Sequence, residues 1–527
     1  VVGDCALRRD LLLEYLHLLQ DHYGCLFLNH LAALAEEMGL SQSEVYEVAT
    51  FYAHFDVVRD SDVVPPPVTV RVCDSVTCAL FGGDRLRKEL SAKGFEGVRV
   101  IRAPCMGRCE CAPVAAIGQY QVDHATVPSV QHAIIEGLRS PRIPKYLKFE
   151  NYESTGGYKV LRECISGCRE TESVITEVED SVLRGLGGAG FMAGRKWRLV
   201  CEADGPLLVV NADEGEPGTF KDRFILETNP HRFLEGMLVA AWAVGATEIY
   251  IYLRDEYLGA RSILRKELEI LGTEGLIDGL NIFVRRGAGA YICGEESAML
   301  ESLEGKRGEP RHKPPFPAEF GLFGRPTLIH NVETLYWVPE ILRKGAQWFA
   351  GQGRRGSQGL RLFSVSGRVR DPGVKLAPAG VTASELLEEY AGGMQEGHQF
   401  KAYLPGGASG GILPARLSDI PLDIGTLDDH GCFVGSGGIV ILSEADEISE
   451  VVLNIMRFFA DESCGQCTPC RVGCDKAVGL MERPLWDEGL LRELSSAMAD
   501  ASICGLGQAA PNPLLRAFEF FRKDLPV

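Results

Sequence analysis

The chain has 527 residues, of which 46% are hydrophobic and 24% charged, a composition typical of globular proteins. This length predicts about three to four domains. A net charge of −18 without a lysine- or arginine-rich block argues against a nucleic-acid partner. The longest apolar stretch, GMLVAAWAVGA at 236–246, is too short to cross a bilayer, so we expect no membrane segment.

The seventeen cysteines are clustered along the chain. They occur as C-x4-C, C-x3-C and C-x2-C-x2-C, which differs from the pattern of a secreted disulfide scaffold. The first residues, VVGDCALRRD, show no signal-peptide pattern. In a large acidic chain of this kind, clustered cysteines indicate metal or cluster ligands in a reducing compartment. We therefore expect a cytoplasmic protein.

The N-terminal segment, residues 1–62, is predicted to be helical. LLLEYLHLLQDHYG and HLAALAEEMG carry apolar residues at helical spacing and end at Gly24 and Gly39. Ser41 is a predicted N-cap of the next helix, and Glu44 completes a capping box with it.

A small α/β domain is predicted for residues 63–139. Three prolines end the helical segment, VTVRV alternates as a strand does, and GVRVIRAPC and APVAAIG follow as further strands. Residues 140–159, SPRIPKYLKFENYESTGGYK, are predicted to form a linker.

The remainder of the chain is predicted to contain three domains. Residues 160–345 form an α/β block in which the strand-like runs PLLVVNA, EIYIYLR and NIFVRR alternate with helical patterns. Residues 355–443 are β-rich, with LRLFSVSGRV and CFVGSGGIVIL on either side of one predicted helix. Residues 445–527 return to a helical pattern.

The first cysteine site consists of Cys73 and Cys78, spaced C-x4-C, and Cys105 and Cys109, spaced C-x3-C. Each pair follows a predicted strand, so four thiolates can converge from two loops. Such a set suits zinc or a 2Fe-2S cluster, and four unrelated buried thiols are a third interpretation. With YEVATFY upstream, residues 7–135 resemble the thioredoxin-like 2Fe-2S subunit of respiratory complex I. The resemblance implies a 2Fe-2S cluster on these four cysteines and leaves Cys111 as a bystander.

Four glycine-rich loops are predicted to meet at one edge of the α/β block. GLGGAG at 185–190 matches G-x-G-x-x-G, but a helical pattern precedes it, so it is not a standard dinucleotide fingerprint. Alone, it is equally an ordinary glycine turn. NADEGEPGTFKDR at 211–223 follows a strand, and two further loops lie at 285–317 and 324–334. Together they predict a site where backbone approaches a flat ligand and its phosphate.

Residues 157–525 resemble the FMN- and NADH-binding subunit of complex I and of soluble NAD-linked dehydrogenases. By this resemblance the phosphate of FMN lies near 329–334, with Lys196 as a compensating cation. The implied FMN contacts are Gly185, Gly187, Lys196, Asn211, Asp213, Tyr291, Gly294, Glu295, Glu296, Ile329, His330, Asn331 and Thr334. The implied NAD contacts are Gly188, Phe191, Glu214, Glu216, Lys313 and Phe316.

Several of these residues have a second interpretation. Phe191 and Phe316 are expected to stack on the adenine, although each is equally suited to a hydrophobic core. Glu214 is the predicted catalytic residue, which shapes the nicotinamide pocket or handles protons; alternatively it is a solvated helix-cap carboxylate. His330 stands where the family usually has asparagine, and its charge is expected to add a pH dependence to phosphate binding. Leu199 replaces an aromatic residue of some family members.

The second cysteine site begins in DESCGQCTPCR at 461–471, which alone allows zinc, a redox pair or an iron–sulfur cluster. The family resemblance implies a 4Fe-4S cluster near FMN. For the fourth ligand, Cys474 gives a ferredoxin-like spacing but precedes Asp475, whereas Cys504 lies in the family segment ASICGLGQAA. The predicted ligands are Cys464, Cys467, Cys470 and Cys504. Two further cysteines, Cys164 and Cys168, are interpreted as free thiols.

No segment is suited to bind molybdopterin or nickel–iron, so we expect an electron-transfer subunit whose partner binds the primary substrate. RDLLLEYLHLLQDHYG, FYAHFDVV and LPGGASGGILPA resemble the β (diaphorase) subunit of soluble molybdenum- or tungsten-dependent, NAD-linked formate dehydrogenases. This resemblance implies a catalytic molybdenum or tungsten subunit with further iron–sulfur clusters, NAD(H) as the nicotinamide substrate, and a dimer of heterodimers. The diaphorase subunit of a NAD-reducing nickel–iron hydrogenase is the alternative, and a non-catalytic metal scaffold is a third.

The resemblance also implies a multi-domain α/β fold. Its expected parts are N-terminal helices, a thioredoxin-like 2Fe-2S domain, a Rossmann-like FMN domain, a ubiquitin-like β-grasp domain at 355–443 and a C-terminal helical bundle with the 4Fe-4S cluster. In such a chain FMN exchanges hydride with NAD and single electrons with the 4Fe-4S cluster.

Overall fold

A computed structural model describes residues 7–527. The first six residues of the predicted segment 1–62 lie outside the described residues. Among residues 7–527, no helix has the length and apolar character needed to cross a membrane.

The N-terminal segment is helical, as its apolar spacing predicts. Gly24 and Gly39 end its first two helices in the left-handed conformation, and Ser41 and Glu44 form the predicted capping box. The elements are α1 Leu12–Tyr23, β1 Leu26–Phe27, α2 Leu28–Met38, α3 Gln42–Phe51 and β2 Val57–Val58.

The following segment is an α/β unit with one four-stranded mixed sheet of order β4-β3-β5-β6. Strands β3 and β4 are parallel, and the other two neighbouring pairs are antiparallel. The elements are β3 Val68–Cys73, α4 Val76–Leu80, α5 Gly83–Lys93, β4 Val98–Ala103, β5 Ala115–Ile117, β6 Tyr120–Val122 and α6 Val127–Ile135.

The predicted linker 140–159 is not simply extended, because it contains a helix that packs on the next unit. Phe149 and Tyr152 of this helix are 4% and 3% exposed. The Tyr152 hydroxyl donates to Glu235 Oε2 at 2.5 Å. The apolar surface of two aromatic rings stabilises the docked helix, which outweighs the extended bias of the preceding prolines.

The central unit is built on a parallel sheet of order β10-β7-β8-β9. Its elements through β8 are α7 Phe149–Ser154, α8 Lys159–Ile165, α9 Thr171–Asp180, α10 Ala193–Cys201, β7 Leu207–Ala212, α11 Lys221–Thr228, α12 Pro230–Val244 and β8 Glu248–Leu253. The remaining elements are α13 Leu258–Thr273, β9 Asn281–Arg286, α14 Glu296–Leu303, β10 Thr327–Asn331, α15 Val332–Lys344 and α16 Ala346–Ala350.

Both faces of the parallel sheet are buried. Leu207 and Val209 of β7 belong to the core shared with the N-terminal helices, whereas Leu208 and Val210 belong to the core shared with α12 and α15. A strand covered on both faces reads as a continuous apolar run, which is the pattern of PLLVVNA. The N-terminal helices therefore form one of the two layers that cover this sheet.

The β-rich segment forms a five-stranded sheet of order β12-β11-β15-β13-β14. Its elements are β11 Leu360–Gly367, β12 Gly373–Pro378, α17 Ala383–Glu385 with a π-helical turn Leu386–Tyr390, β13 Phe400–Leu404, β14 Leu413–Pro414 and β15 Gly438–Ser443. The first and last strands, β11 and β15, are parallel, and the remaining pairs are antiparallel.

The C-terminal segment is helical and shares the core of the N-terminal helices. Its elements are α18 Ile448–Asp461, α19 Thr468–Met481, α20 Glu488–Ala501, α21 Gly505–Ala509 and α22 Asn512–Phe520. Each sheet falls within one of the predicted segments, while the exact domain limits stay predictions.

Candidate functional site

The first cysteine site is deeply buried. Cys73 ends β3, Cys78 lies in α4, and Cys105 and Cys109 lie in the loop after β4. All four are at most 5% exposed, and the sulfur atoms of the last two are 3.4 Å apart. Hydrogen bonds from the neighbouring thiols of Cys105 and Cys78 raise the pKa of Cys73. Four converging thiols fit the ligand set of a 2Fe-2S cluster.

Cys111 lies beside this site but has a different environment. It is only half-buried, and burial followed by the charges of Glu110 and Asp123 raises the pKa of its thiol to about 11. It packs against the cluster that contains Cys73 and Cys78. Its role as a bystander thiol stays a prediction.

The second cysteine site lies between α18, α19 and α21. Cys464 and Cys467 precede α19, Cys470 lies in its first turn, and Cys504 precedes α21. Burial raises the pKa of Cys504 to about 11, with a smaller contribution from Cys464. A Cβ added at Gly507 would lie 2.8 Å from Cys470 Cβ, so α21 packs directly on this turn. The fold thus brings the distant cysteine to the C-x2-C-x2-C motif.

Cys474 also lies at this site. It follows Cys470 by one helical turn and is 0% exposed. The hydrogen bond between the thiols of Cys474 and Cys470 is the main cause that lowers the pKa of Cys470 to about 7. Five thiols therefore gather where a 4Fe-4S cluster needs four, and the assignment of Cys504 as the fourth ligand stays a prediction.

The glycine-rich loop at 185–190 lies against the carboxyl end of β10. The loop follows the helix α9, so the helix predicted ahead of the loop is present. The Leu186 amide donates to Thr334 Oγ1 at 2.9 Å, and Lys196 Nζ donates to the Ile329 carbonyl at 3.1 Å. A Cβ added at Gly187 would lie 3.1 Å from Asn331 Cβ, so a larger residue would crowd the end of β10.

Glycines also shape the two sides of this loop. The Gly185 amide donates to the Phe191 carbonyl at 2.8 Å and closes the loop. Gly188 has φ +130°, a conformation that residues with a Cβ rarely adopt. A turn of this kind exposes backbone N–H groups to an anionic ligand.

A second part of the site lies at the carboxyl end of β7. Asn211 is paired with Asn331 across the strands, and its side-chain amide donates to the Gly294 carbonyl at 2.8 Å. Asp213 is half-buried, its buried Oδ2 has no hydrogen-bond partner among the described residues, and desolvation raises its pKa to about 8. A buried carboxyl oxygen without a partner beside a glycine-lined opening fits a polar ligand such as FMN.

Glu214 caps a helix, but it is not solvated. Its carboxylate accepts hydrogen bonds from the amides of Asp222 and Arg223 at 2.9 and 3.2 Å, at the start of α11. The Tyr257 hydroxyl donates to the same group at 2.8 Å. Glu214 is 7% exposed, and burial raises its pKa to about 7. The interpretation as a solvated cap is therefore wrong.

Glu216 and Tyr291 connect the central unit with the β-rich unit. The Tyr291 hydroxyl donates to Glu216, whose other oxygen accepts from the Ser409 amide at 2.7 Å. Burial raises the pKa of Glu216. These contacts place both predicted ligand-binding residues in one fixed network.

Two lysines and two glutamates gather at the start of α14. Glu295 caps this helix by accepting from the Ser297 and Ala298 amides at 2.9 Å. Lys313 Nζ lies 2.8 Å from both Glu295 and Glu296, and Lys196 lies 3.6 Å from Glu296. Burial opposes ionisation of Glu296, but the two lysines lower its pKa overall.

Phe191 and Phe316 do not belong to a hydrophobic core. They are 50% and 54% exposed, so the interpretation of each as a core residue is wrong. Leu199 is also exposed, at 62%. Exposed aromatic rings beside the glycine-rich loops are available to stack on a planar ligand.

Three family models match the chain. They are the thioredoxin-like 2Fe-2S ferredoxin at residues 3–139, the Nuo51 FMN-binding domain at 178–340 and the NADH-ubiquinone oxidoreductase-F iron–sulfur binding region at 450–526. Among curated proteins, the NADH-quinone oxidoreductase F subunit 2 of Rhizobium meliloti (strain 1021) is 43% identical over 405 residues, which are 73% of this chain and 96% of that protein. The chain belongs to the family of NADH-quinone oxidoreductase F subunits.

Two further relatives support this membership. The NADH-quinone oxidoreductase F subunit of Aquifex aeolicus (strain VF5) is 40% identical, over 73% of this chain and 92% of that protein. A chain of a NAD+-reducing NiFe-hydrogenase, solved in the H2-reduced state, is 31% identical with a TM-score of 0.86, covering 98% of this chain and 93% of that chain. The protein is an electron-transfer subunit of the NADH-dehydrogenase type with FMN-binding, 2Fe-2S and 4Fe-4S regions.

His330 differs in this family member from its sequence-based expectation. It is buried, and the Trp197 indole N–H donates to His330 Nε2 at 2.8 Å, so this nitrogen is an acceptor. Burial, followed by the charge of Lys196, holds its pKa well below the ordinary value. The imidazole is therefore neutral near pH 7, and the expected pH dependence from its charge is wrong.

Three buried arginine and tyrosine side chains of this family member were missed in the sequence. Arg254 donates to the Cys105 carbonyl at 2.6 Å and to the Glu214 carbonyl at 2.5 Å. Arg223 donates to the Gly107 carbonyl at 2.7 Å, and Tyr257 packs against Gly107. They join the first cysteine site to the Glu214 loop. The position of Arg254 directly after a strand of the parallel sheet was the signal available in the sequence.

A buried charge network behind Asn331 was also missed. Lys221 Nζ lies 2.8 Å from Asp222 and 3.1 Å from Glu333, and all three side chains are at most 3% exposed. The Asn331 amide donates to Asp222 at 2.5 Å. The charged triplet KDR at the end of the NADEGEPGTFKDR loop signalled these residues, because buried charges must be paired.

Proposed function

We propose that the chain is the diaphorase subunit of a NAD-dependent formate dehydrogenase and exchanges electrons between NAD(H) and a catalytic molybdenum or tungsten subunit. The observation that carries the electron-transfer part of this proposal is the contact of both cysteine-bearing units with the loops at one sheet edge, whereas formate itself rests on the resemblance of the N-terminal and LPGGASGGILPA stretches. Arg254 contacts the first cysteine site and Glu214 together. The amide of Tyr291 donates at 2.9 Å to Glu462, which lies two residues before Cys464. Such an arrangement supports electron transfer between a flavin site and two clusters.

FMN is the group that would occupy the glycine-lined opening between 185–190, Asn211 and Asn331. When bound, it supplies the link between two-electron chemistry on nicotinamide and one-electron chemistry on iron–sulfur clusters. The backbone of the glycine loop approaches one side of the opening, and Asp213 Oδ2 offers an acceptor without a partner. The amide side chains at the ends of β7 and β10 orient polar edges of a planar ligand.

The nicotinamide substrate would bind on the exposed side of the same opening. Phe191 and Phe316 are exposed and suited to hold an adenine ring. Lys313, which pairs with Glu295 and Glu296 at the start of α14, offers a charged donor. Glu216 and Gly188 complete the predicted contacts.

Glu214 is proposed to hold and release a proton at its carboxylate. Burial raises its pKa to about 7, so both protonation states are available near neutral pH. Its oxygen atoms are fixed by two backbone amides and by Tyr257. A group of fixed position and matched pKa is suited to general acid–base work.

The five-stranded sheet supports the proposed β-grasp domain. Its order β12-β11-β15-β13-β14 places the first and last strands of the unit side by side and parallel at the centre. The short helical turn at 383–390 packs on the same core. The cytoplasmic location and the dimer of heterodimers stay predictions of the formate dehydrogenase proposal.

A NAD-reducing nickel–iron hydrogenase is the second candidate. It is favoured by the similarity to the hydrogenase chain, which extends over 98% of this chain. Formate is favoured by the N-terminal and LPGGASGGILPA stretches, which resemble formate dehydrogenase β subunits. Both candidates share the same diaphorase chemistry and differ in the partner subunit.

Co-purification of the native complex tests the proposal. We expect a partner that contains molybdenum or tungsten and a complex that reduces NAD+ with formate. Reduction of NAD+ with hydrogen, together with nickel in the partner, would instead establish the hydrogenase. The isolated FMN-loaded chain should reduce an artificial acceptor with NADH in either case, and zinc without flavin would rule out both.

A further inference from the structure

Two histidines meet where the N-terminal helices pack on the carboxyl edge of the parallel sheet. His17 lies in α1 and His54 follows α3. Asp255 follows β8, and Gly287 follows β9. The two imidazole rings are 4.8 Å apart between centroids and are tilted by 50°. Neither histidine is part of the FMN or cluster sites described above.

One nitrogen of each ring is fixed by a hydrogen-bond acceptor. His17 Nε2 lies 2.9 Å from the Gly287 carbonyl, which only accepts, so this nitrogen carries the hydrogen. His54 Nδ1 lies 2.8 Å from Asp255 Oδ2, so Nδ1 donates to that carboxylate. In the neutral rings the lone pairs are therefore on His17 Nδ1 and His54 Nε2.

These two lone-pair nitrogens are buried and have no hydrogen-bond partner among residues 7–527. A buried polar atom without a partner costs about 1–3 kcal/mol. His17 is only 3% exposed, so bulk water does not reach its Nδ1 freely. Two unpartnered lone pairs that face one another across adjacent rings are available to a bound species.

We propose that His17 Nδ1 and His54 Nε2 bind one divalent transition-metal ion of the zinc class, with Asp255 holding His54 in position. One ligand atom from each of the three residues lies within 4.8 Å of the others. Imidazole nitrogen is a preferred zinc ligand. Metal-bound histidines characteristically donate their other N–H to a carboxylate or a backbone carbonyl, and His54 and His17 show one of each.

The surroundings suit a cation that also binds water. A cavity of about 320 Å³, lined in part by His54, Asp255 and Asp21, adjoins the site and supplies room for further water ligands. Arg286 Nε lies 2.5 Å from Asp255, and its Nη1 lies 2.8 Å from Asp21. Asp255 and Asp21 thus both pair with Arg286 beside the two imidazoles.

The ion would connect two layers of the fold. His17 and His54 belong to the N-terminal helices, whereas Asp255 and Gly287 belong to the parallel sheet that these helices cover. A ligand that binds only the folded state adds its binding free energy to stability. The metal therefore strengthens the attachment of the N-terminal helices to the central unit.

Zinc stoichiometry of the full, FMN- and cluster-loaded chain tests the site. The chain is washed with a chelator, titrated with zinc sulfate and desalted, and zinc and iron are measured by mass spectrometry in the same sample. We expect one zinc ion per chain at unchanged iron content. His17→Gln and His54→Gln should each lose it, and Asp255→Asn should weaken binding by about 10–100-fold. The matched control His22→Gln, at an exposed position of α1, should retain the ion.

A second measurement keeps the test independent of how the variants fold. Anomalous X-ray scattering at the zinc edge, on crystals of the wild-type chain, should show a peak between His17 and His54. An ordered water at this position without an anomalous peak would overturn the proposal. Equal zinc content in the wild type and in both histidine variants would overturn it as well, because the ion would then lie elsewhere.

Discussion

The two cysteine sites of this chain differ in how much of each is buried and in what holds it. The thiols of the first site are at most 5% exposed, and Arg254 and Arg223 of the central unit donate to carbonyls of its loop. In the second site, three of the four predicted ligands are only half-buried. An electron must leave through a site that a partner can approach. We therefore expect electrons to leave toward a partner through the second site, whereas the first is an internal centre joined to the Glu214 loop.

Removal of the fourth cluster ligand in the second site should have the largest effect, on the 4Fe-4S cluster itself. Cys504→Ala should abolish the electron paramagnetic resonance signal of the reduced 4Fe-4S cluster, because only three thiolates of the predicted set remain. Cys474→Ala, which removes a buried thiol of the same site, should leave the signal in place. The opposite pattern would show that Cys474 is the ligand. Because Cys474 is 0% exposed, the second site would then be more buried than the comparison assumes.

Replacement of the buried carboxylate between the two sites has the next largest effect. Glu214→Gln keeps the size and one hydrogen-bond acceptor of the side chain but cannot carry the proton. We expect kcat for NADH oxidation with ferricyanide to fall by about 100-fold, at the lower end of general acid–base contributions. The exposed Glu202→Gln, at the end of α10, is the matched control. Activity close to that of the wild type in E214Q would restrict Glu214 to capping α11.

Loss of an exposed aromatic ring beside the opening should have a moderate effect on NADH binding. Phe316→Ala should raise KM for NADH by about 5-fold with kcat little changed, because it removes stacking on the adenine. Phe320→Ala is a close control, since Phe320 is 56% exposed compared with 54% for Phe316. An equal rise in KM for both variants would assign the effect to general loss of apolar surface.

The smallest expected effect concerns the pH dependence of stability. Burial raises the pKa of Asp213 to about 8, so the folded FMN-depleted chain retains a proton that the unfolded chain releases above its ordinary pKa near 4. Stability contributed by this group therefore falls as pH rises from about 4 to about 8. Asp213→Asn stays neutral, and its Tm should fall by about 5 °C less than that of the wild type between pH 5 and pH 8. Parallel Tm curves would contradict the raised pKa.

Local sequence features were sufficient to predict many elements. The capping box of Ser41 and Glu44, the helix ends at Gly24 and Gly39, and the buried run of β7 all follow from short-range chemistry. The meeting of the glycine-rich loops also followed, because parallel strands deliver their carboxyl ends to one edge of a sheet. The helix α7 in the predicted linker could not be predicted from local sequence features, since its stability comes from burial against α12.

Burial decided the residues for which the sequence allowed two interpretations. Phe191 and Phe316 are exposed, although the same residue type is more often found in a core. Glu214 is buried and His330 is neutral, although both are ionisable residues in polar loops. Burial depends on which distant segments cover a side chain, and a linear pattern does not contain that information.

The sequence by itself determined the residue types and spacings of both cysteine sites, the parallel strands and the polar loops that follow them. Only the tertiary structure decided that Arg254 joins the Cys105 loop to Glu214, and that His17 and His54 of the N-terminal segment meet Gly287 and Asp255 of the parallel-sheet unit. The physical reason is that spacing along the chain fixes local hydrogen bonds. Desolvation and the pairing of charges, in contrast, are set by residues that are hundreds of positions apart in the sequence.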